Sequence, residues 1–119
     1  MILAVLDDLM FTSKIKTTAG QLGVDVTFAR SADAALAEMR RTPPAIVVLD
    51  LNNQRIDPLG IVARMKEDPA LASVPTVGYA SHVHTDVINA ARRAGVDEVL
   101  ARSAFTQQLP EILKRGQIQ

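Results

Sequence analysis

The chain has 119 residues, 48% of them hydrophobic, with 13 basic residues balanced by 13 acidic ones and no cysteine. This length is enough for one domain with a buried core. The balanced charge argues against nucleic acid or an anionic membrane as the main partner, and the lack of cysteine excludes disulfides and thiolate chemistry. The apolar start, 1–6, is too short to span a bilayer and has no basic leader, so we expect a cytoplasmic protein.

Five short apolar runs, rich in valine, isoleucine and leucine, alternate with longer segments. The runs are 2–6, 24–29, 45–49, 76–80 and 96–101. The run at 45–49 is apolar without alternation, which is typical of a strand buried on both faces of a parallel sheet. Each run therefore predicts one strand.

The segments between these runs have apolar residues every three or four positions, which predicts helices with one apolar face each. Ser31 and Thr85 are placed to cap helix starts, and Gly23 and Gly95 to end helices. Among the candidate core residues are Phe11, Ile15, Ala19 and Leu22 in the first helix, Phe105, Leu109, Ile112 and Leu113 in the last, and Met10, Met39 and Met65.

Strands that alternate with helices predict an α/β fold, a doubly wound five-stranded parallel sheet with helices on both faces. We expect a single domain over 1–119, with a disordered polar tail from about 116 to 119. In sheets of this kind, ligands bind outside the carboxyl ends of the strands, where the strand order reverses. The loops that follow the strands are therefore the place to look for a site.

Acidic residues follow two of the predicted strands. Asp7 and Asp8 come after the first, and Asp50 follows the third with Asn52 close behind. Adjacent strands would bring these carboxylates together, where their oxygens could bind a hard cation such as Mg²⁺. The simpler interpretation is that they are turn formers and helix caps.

Four stretches of the chain resemble, in the same order, parts of response-regulator receiver domains. They are ILAVLDD at 2–8, IVVLDLN at 46–52, DPALASVP at 68–75 and AGVDEVL at 94–100. The resemblance covers nearly the whole chain and implies a flavodoxin-like signalling module of a two-component phosphorelay, not an enzyme. In such a module an aspartate at the end of the third strand accepts a phosphoryl group from a histidine kinase or phosphotransfer protein. Asp50 lies at that position.

The resemblance also implies a Mg²⁺ site. In the family, two acids after the first strand and a backbone carbonyl two residues past the acceptor hold the ion. Leu6 stands where the first acid is expected and Asp7 where the second is, while Asn52 supplies the carbonyl beside Asp50. Asp8 could replace the missing acid by a local shift, but its position also fits a helix cap. We expect weak Mg²⁺ binding.

The positions that sense the phosphoryl group in receiver domains are altered. The fourth strand ends in Ala80 where a hydroxyl is expected, with Ser81 next in line. Val99 replaces the aromatic residue that rotates on activation, and Arg102 replaces a lysine. We expect Arg102 to pair with Asp50 or Asp7 in the resting protein.

Two interpretations of this pattern stay open, and a third is weaker. The favoured one is an atypical receiver with weak or absent phosphorylation that acts by protein-protein contact, because three parts of the switch are changed together. The second is a conventional Mg²⁺-dependent phospho-acceptor with a weakened active state. A small flavin- or nucleotide-binding protein is the third, but Asp7 and Asp8 stand where phosphate-binding residues would be needed.

A contact surface is also implied by the resemblance. In receiver domains the fourth helix, fifth strand and fifth helix usually form the face that docks a downstream partner or forms a homodimer. Here that face would include Val87, Ala90, Ala91, Val99, Ala101 and Phe105, although some of these residues must face the core. His82 and His84, in the loop after the fourth strand, have no third ligand nearby in the sequence, so a solvated loop is favoured over a metal site.

Overall fold

Strands and helices alternate along residues 1–81 and 85–116, which are the residues that this computed structural model describes. The strands are β1 (Ile2–Val5), β2 (Val26–Ala29), β3 (Ile46–Asp50), β4 (Thr76–Ala80) and β5 (Glu98–Ala101). The α-helices are α1 (Leu9–Leu22), α2 (Ala32–Arg41), α3 (Pro58–Glu67), α4 (Thr85–Ala94) and α5 (Arg102–Arg115). A short 3₁₀ helix, η1 (Gln54–Ile56), lies between β3 and α3.

The strands form one parallel sheet in the order β2-β1-β3-β4-β5. The predicted doubly wound α/β fold is thus confirmed. The strand order reverses between β1 and β3, so their carboxyl ends flank the crevice where ligands bind in sheets of this type. In the register of the sheet, Val5 lies opposite Leu49 and Asp50 lies opposite Tyr79.

Helices cover both faces of the sheet and divide the core into two clusters. All five residues of β3 are buried, as its unbroken apolar run predicts. One cluster packs α2, α3 and α4 on the sheet, and the other packs α1 and α5. The predicted apolar stripe of α5 is entirely buried and consists of Phe105, Leu109, Ile112 and Leu113.

The helix ends follow from their capping residues. The Ser31 hydroxyl accepts the N–H of Ala34 at the start of α2, as predicted. Gly23 ends α1 in the left-handed conformation with φ 69°, where glycine carries no steric penalty. Thr85 is the first residue of α4, and the loop residues before it, including His82 and His84, lie outside the described residues.

Several boundaries and exposures differ from the sequence predictions. β2 begins at Val26 and β5 at Glu98, each two residues later than predicted. Met10 was predicted to lie in the core, but its side chain is 84% exposed because it faces away from the stripe of α1 that packs on the sheet. Its neighbour Leu9 is 70% exposed. Gly116 ends α5 and is buried against Ile2, while 117–119 lie outside the described residues.

The structure distinguishes the members of the predicted contact surface that face the core from those that do not. Phe105 and Ala91 are fully buried, because the apolar stripes of α5 and α4 turn them toward the sheet. The other members of the predicted surface are Val87, Ala90, Val99 and Ala101, all half-buried. None of the described helices combines the length and the hydropathy that crossing a membrane requires.

Candidate functional site

Asp50 is the last residue of β3 and opens on a cleft at the carboxyl edge of the sheet. The residue is only 5% exposed, and its Oδ1 accepts the N–H of Asn52 at 3.1 Å. Burial raises the pKa of the Asp50 carboxyl, while the Asn52 N–H and the charge of Arg102 lower it. The cleft has a volume of about 460 Å³ and is lined by Asp50, Asn52, Asn53, Gln54, Arg55 and Arg102.

Asp7 follows β1 and is bound through both of its carboxylate oxygens. The Nδ2 of Asn53 donates to Oδ1 at 2.6 Å, and the Nη2 of Arg55 lies 3.0 Å from Oδ2. Asn53 also caps η1, because its Oδ1 accepts the N–H of Arg55 at 3.0 Å. Neither Asn53 nor Arg55 was predicted from the sequence as a site residue.

Asp8 caps α1, as the simpler interpretation of the sequence predicted. Its Oδ1 accepts the N–H groups of Met10 at 2.9 Å and Phe11 at 3.2 Å. Its Oδ2 lies 4.0 Å from the Nη2 of Arg102. The cap contacts use Oδ1 of Asp8 and leave Oδ2 without a close hydrogen bond to Arg102.

Arg102 does not pair with Asp50 or Asp7, so that expectation is wrong. Its guanidinium lies instead near Asp8 and above the ring of Phe11, 5.1 Å from the ring centroid. The reason is local: Asp7 is already occupied by other side chains, and the first turn of α5 directs Arg102 toward α1. The charge of Arg102 still acts on Asp50 through space and lowers its pKa.

The loops after β3 and β4 are joined by a hydrogen bond. The backbone N–H of Ser81 donates to the Oδ1 of Asn52 at 2.6 Å. Ala80 ends β4, is fully buried and presents no hydroxyl to the cleft. Gly78 of β4 lies opposite Leu49 of β3. A Cβ atom added to Gly78 would lie 2.6 Å from the Leu51 side chain. Leu51 therefore occupies the space that a side chain at this position would need.

Three aromatic rings pack under the Asp50 edge of the sheet. The centroid of Tyr79 is 4.8 Å from that of Phe11 and 4.7 Å from that of Phe105. Burial raises the pKa of the Tyr79 hydroxyl, and the nearby charge of Asp50 raises it further. Within the described residues this hydroxyl has no hydrogen-bond partner. Sequence reasoning had placed Tyr79 in a strand without anticipating this cluster.

Val99, at the position predicted to sense phosphorylation, lies in β5. It is half-buried and packs against the core cluster under α2, α3 and α4. Because valine has no aromatic ring, Val99 cannot rotate a ring between the core and the solvent. Its role in sensing phosphorylation stays a prediction.

The residues present offer a divalent cation fewer free carboxylate oxygens than the predicted site needs. Leu6 is apolar and 1% exposed, and both oxygens of Asp7 already have partners within the chain. Across the described residues, no three His, Cys, Asp or Glu side chains are arranged to hold a metal ion. Mg²⁺ prefers oxygen ligands, and at Asp7 it would compete with the side chains of Asn53 and Arg55.

A buried aspartate at the carboxyl end of the central strand, on a five-stranded parallel sheet with acidic residues after β1, defines a receiver-type signalling module. A family model, described as the response regulator receiver domain, matches residues 2–114. The chain belongs to this family. Receiver domains of response regulators are two-component signalling modules, generally not enzymes, that interact with histidine kinases or phosphotransfer proteins and with downstream partners. They generally bind Mg²⁺ at the phosphorylation site.

Solved structures agree with this fold. The receiver domain of NtrX from Brucella abortus is 23% identical with a TM-score of 0.81, over 98% of this chain and 97% of that one. A putative response regulator from Chloroflexus aurantiacus is 21% identical with a TM-score of 0.82, over 95% and 93%. The Mn²⁺-bound form of response regulator Rcp1 is 21% identical with a TM-score of 0.78, over 93% and 89%.

Part of a longer protein also matches. Against the longer NtrX chain, this chain is 24% identical with a TM-score of 0.81, and the match covers 97% of this chain but only 26% of that one. No curated protein sequence matches the chain.

Proposed function

We propose that this chain is an atypical receiver that is phosphorylated weakly or not at all at Asp50 and acts through protein-protein contact. The observation that carries the proposal is the state of Asp7, whose two carboxylate oxygens are bound by Asn53 and Arg55. A receiver that depends on Mg²⁺ needs this acid free. Here the ion has to compete with two side chains for it.

The phosphoryl group would also find fewer partners in this cleft. Ala80 offers no hydroxyl, and Arg102 is turned toward Asp8. Loss of one charge-assisted hydrogen bond weakens the phosphorylated state by roughly 1.5–3 kcal/mol. Together with weak Mg²⁺ binding, this loss favours a module whose resting and active surfaces differ little.

One observation favours the alternative, a conventional phospho-acceptor. The Asp50 cleft is lined by two guanidinium groups, those of Arg55 and Arg102, which can bind phosphoryl oxygens as planar forks. A receiver could therefore retain phosphorylation with arginines supplying part of the charge. The two functions are separated by whether Asp50 becomes labelled at ordinary Mg²⁺ concentrations.

The partner surface is proposed from the half-buried positions on α4 and β5. With Phe105 and Ala91 in the core, the contact face is reduced to Val87, Ala90, Val99 and Ala101. We expect a downstream protein, or a second copy of the chain, to bind there. Substitution of Ala90 by arginine would disturb such a contact without filling the core, because Ala90 is not fully buried.

The test is a phosphodonor assay with acetyl phosphate and Mg²⁺. An Asp50 oxygen would form a bond to phosphorus while the bond from phosphorus to the acetyl oxygen breaks and acetate leaves. We expect labelling well below one phosphoryl group per chain, and amide signals around Asp50 that barely change with beryllium fluoride. Asp50→Asn is the control that defines the background, and Asp7→Asn reports the contribution of the second acid.

Stoichiometric labelling of the wild type would contradict the proposal and establish the conventional receiver. Partner binding gives the complementary measurement. An atypical receiver binds its partner equally well as wild type and as Asp50→Asn, whereas a phosphorylation-dependent one loses its response to the donor in that variant.

A further inference from the structure

Three residues at the carboxyl edge of β1 and β3 form a closed set of contacts, which we call the Asp7 clamp: Asp7, Asn53 and Arg55. The amide of Asn53 donates to one oxygen of Asp7, and the guanidinium of Arg55 lies against the other. The carbonyl oxygen of the same Asn53 side chain holds the backbone N–H of Arg55. Asn53 thus contacts both Asp7 and Arg55, and its hydrogen bond to the Arg55 backbone fixes the position of Arg55 within η1.

The clamp brings a positive charge to a carboxylate that would otherwise face other acids. Asp7 and Asp8 both raise the pKa of Asp50, so each of them repels the charged form of that carboxyl. In this chain two guanidinium groups offset that repulsion, Arg55 at Asp7 and Arg102 near Asp8. The site therefore carries its counter-charges on its own side chains.

We infer that the Asp7 clamp takes the place of a bound divalent cation, so that Arg55 and Asn53 hold the acceptor edge in one arrangement without metal. An amide N–H and a guanidinium take up lone pairs of the Asp7 carboxylate, and the guanidinium also repels a dication, so Mg²⁺ binds at Asp7 in competition with them. This inference concerns resting metal affinity and does not rest on whether Asp50 is phosphorylated.

The two halves of the clamp differ in strength. The Arg55 side chain is 82% exposed, so its ion pair is a surface pair that contributes little on its own. The Asn53 hydrogen bond is short and partly buried. Removing Arg55 alone should therefore raise Mg²⁺ affinity by about two- to fivefold, and removing both side chains should raise it further.

The experiment is a Mg²⁺ titration of the whole chain without phosphodonor, followed by the amide signals of residues 50–56 at constant ionic strength. The variants are Arg55→Gln, Arg55→Lys, and Arg55→Gln combined with Asn53→Ala. Arg41→Gln is the matched control, because Arg41 is also an exposed arginine in an ion pair, with Glu38 on α2. Thermal unfolding with and without Mg²⁺ gives a second readout, since a ligand that binds only the folded state raises the melting temperature.

The clamp predicts that Arg55→Gln binds Mg²⁺ about two- to fivefold more tightly than wild type, while Arg55→Lys and Arg41→Gln stay within twofold of it. It also predicts that Mg²⁺ stabilises the double variant more than the wild type. Equal Mg²⁺ affinity in wild type, Arg55→Gln and the double variant would overturn the inference. That outcome is distinct from stoichiometric phosphorylation, which would contradict the proposed function and leave the metal affinities as they are.

Discussion

The ring of Tyr79 stacks on the ring of Phe105, with centroids 4.7 Å apart and planes inclined by 27°. Such a pair stabilises the fold beyond its buried area. The hydroxyl of Tyr79, however, is buried and has no hydrogen-bond partner among the residues described. Tyr79 thus stabilises the fold through its ring and destabilises it through its buried hydroxyl, which is unpaired within that part of the chain.

Removal of that hydroxyl should stabilise the protein. Tyr79→Phe keeps the stack and removes a desolvated donor, so we expect the free energy of unfolding to rise by about 1 kcal/mol. Tyr79→Ala is the contrasting variant and should lose about 3–5 kcal/mol through the cavity it creates. Urea denaturation measures both. A loss of more than 1 kcal/mol in Tyr79→Phe would show that the hydroxyl does have a partner in solution.

The buried carboxyl of Asp50 should make the free energy of unfolding decrease as the pH rises. Burial raises its pKa in the folded state above the unfolded value of about 3.9, so the folded protein holds the proton more tightly. Stability is then highest below the unfolded pKa and declines as the pH rises through the folded pKa. Asp50→Asn has no such proton, so we expect it to be more stable than wild type at pH 7.

The difference between the two proteins should shrink as the pH falls toward about 4 and vanish below it. Chemical denaturation across this pH range is the measurement. Asp25→Asn serves as the control, because Asp25 is exposed and lies away from the cleft. A wild type that is more stable than Asp50→Asn at pH 7 would mean that the ionised carboxylate is favourably paired.

Arg102→Ala should change the titration of Asp50 more than it changes stability. The Arg102 side chain is 49% exposed and its ion pair with Asp8 is long, so we expect a loss below about 1 kcal/mol. Because the charge of Arg102 lowers the pKa of Asp50, the variant should titrate Asp50 at higher pH. Carboxyl carbon NMR shifts follow that titration. A stability loss of about 3–5 kcal/mol would instead reveal a buried, unpaired carboxylate.

Asp57 should be important for the start of α3. It is the N-cap of that helix, adopts the left-handed conformation with φ 48°, and accepts the N–H of Gly60 at 3.2 Å. Asp57→Ala removes the cap and leaves a residue that tolerates this conformation poorly, so we expect a loss of about 1–2 kcal/mol. Asp57→Asn keeps both features and should stay within about 0.5 kcal/mol of wild type. Equal losses in the two variants would assign the effect to charge rather than to capping.

Hydrophobic patterning was enough to predict the sheet. The unbroken apolar run at 45–49 marked a strand buried on both faces, and the stripe of α5 that includes Phe105 marked its core face. The same stripe predicts that Phe105 faces the core and not a partner, because a residue cannot pack on the sheet and dock a partner at once. The position of Asp50 at the end of β3 followed from the abrupt end of the apolar run.

The clamp could not be predicted because it depends on three-dimensional placement. Asn53 and Asp7 are 46 residues apart in sequence, and they meet only because β1 and β3 are neighbours. The direction of Arg55 depends on one turn of 3₁₀ helix, and short polar segments carry no periodic signal that would reveal such a turn. For the same reason the sequence suggested Asp50 or Asp7 as the ion-pair partner of Arg102, whereas the acid nearest to its guanidinium is Asp8.

Because Gly78 has no side chain, it leaves space beside the loop that follows Asp50. Leu51 fills the space beside Gly78, which fixes the backbone immediately after Asp50 and therefore the starting point of the segment that bears Asn53. A methyl group there would meet the Leu51 side chain at 2.6 Å and push it aside. The position of the loop after β3, which bears Asn53 and Arg55, thus depends on the lack of a Cβ atom at Gly78 in the neighbouring strand β4.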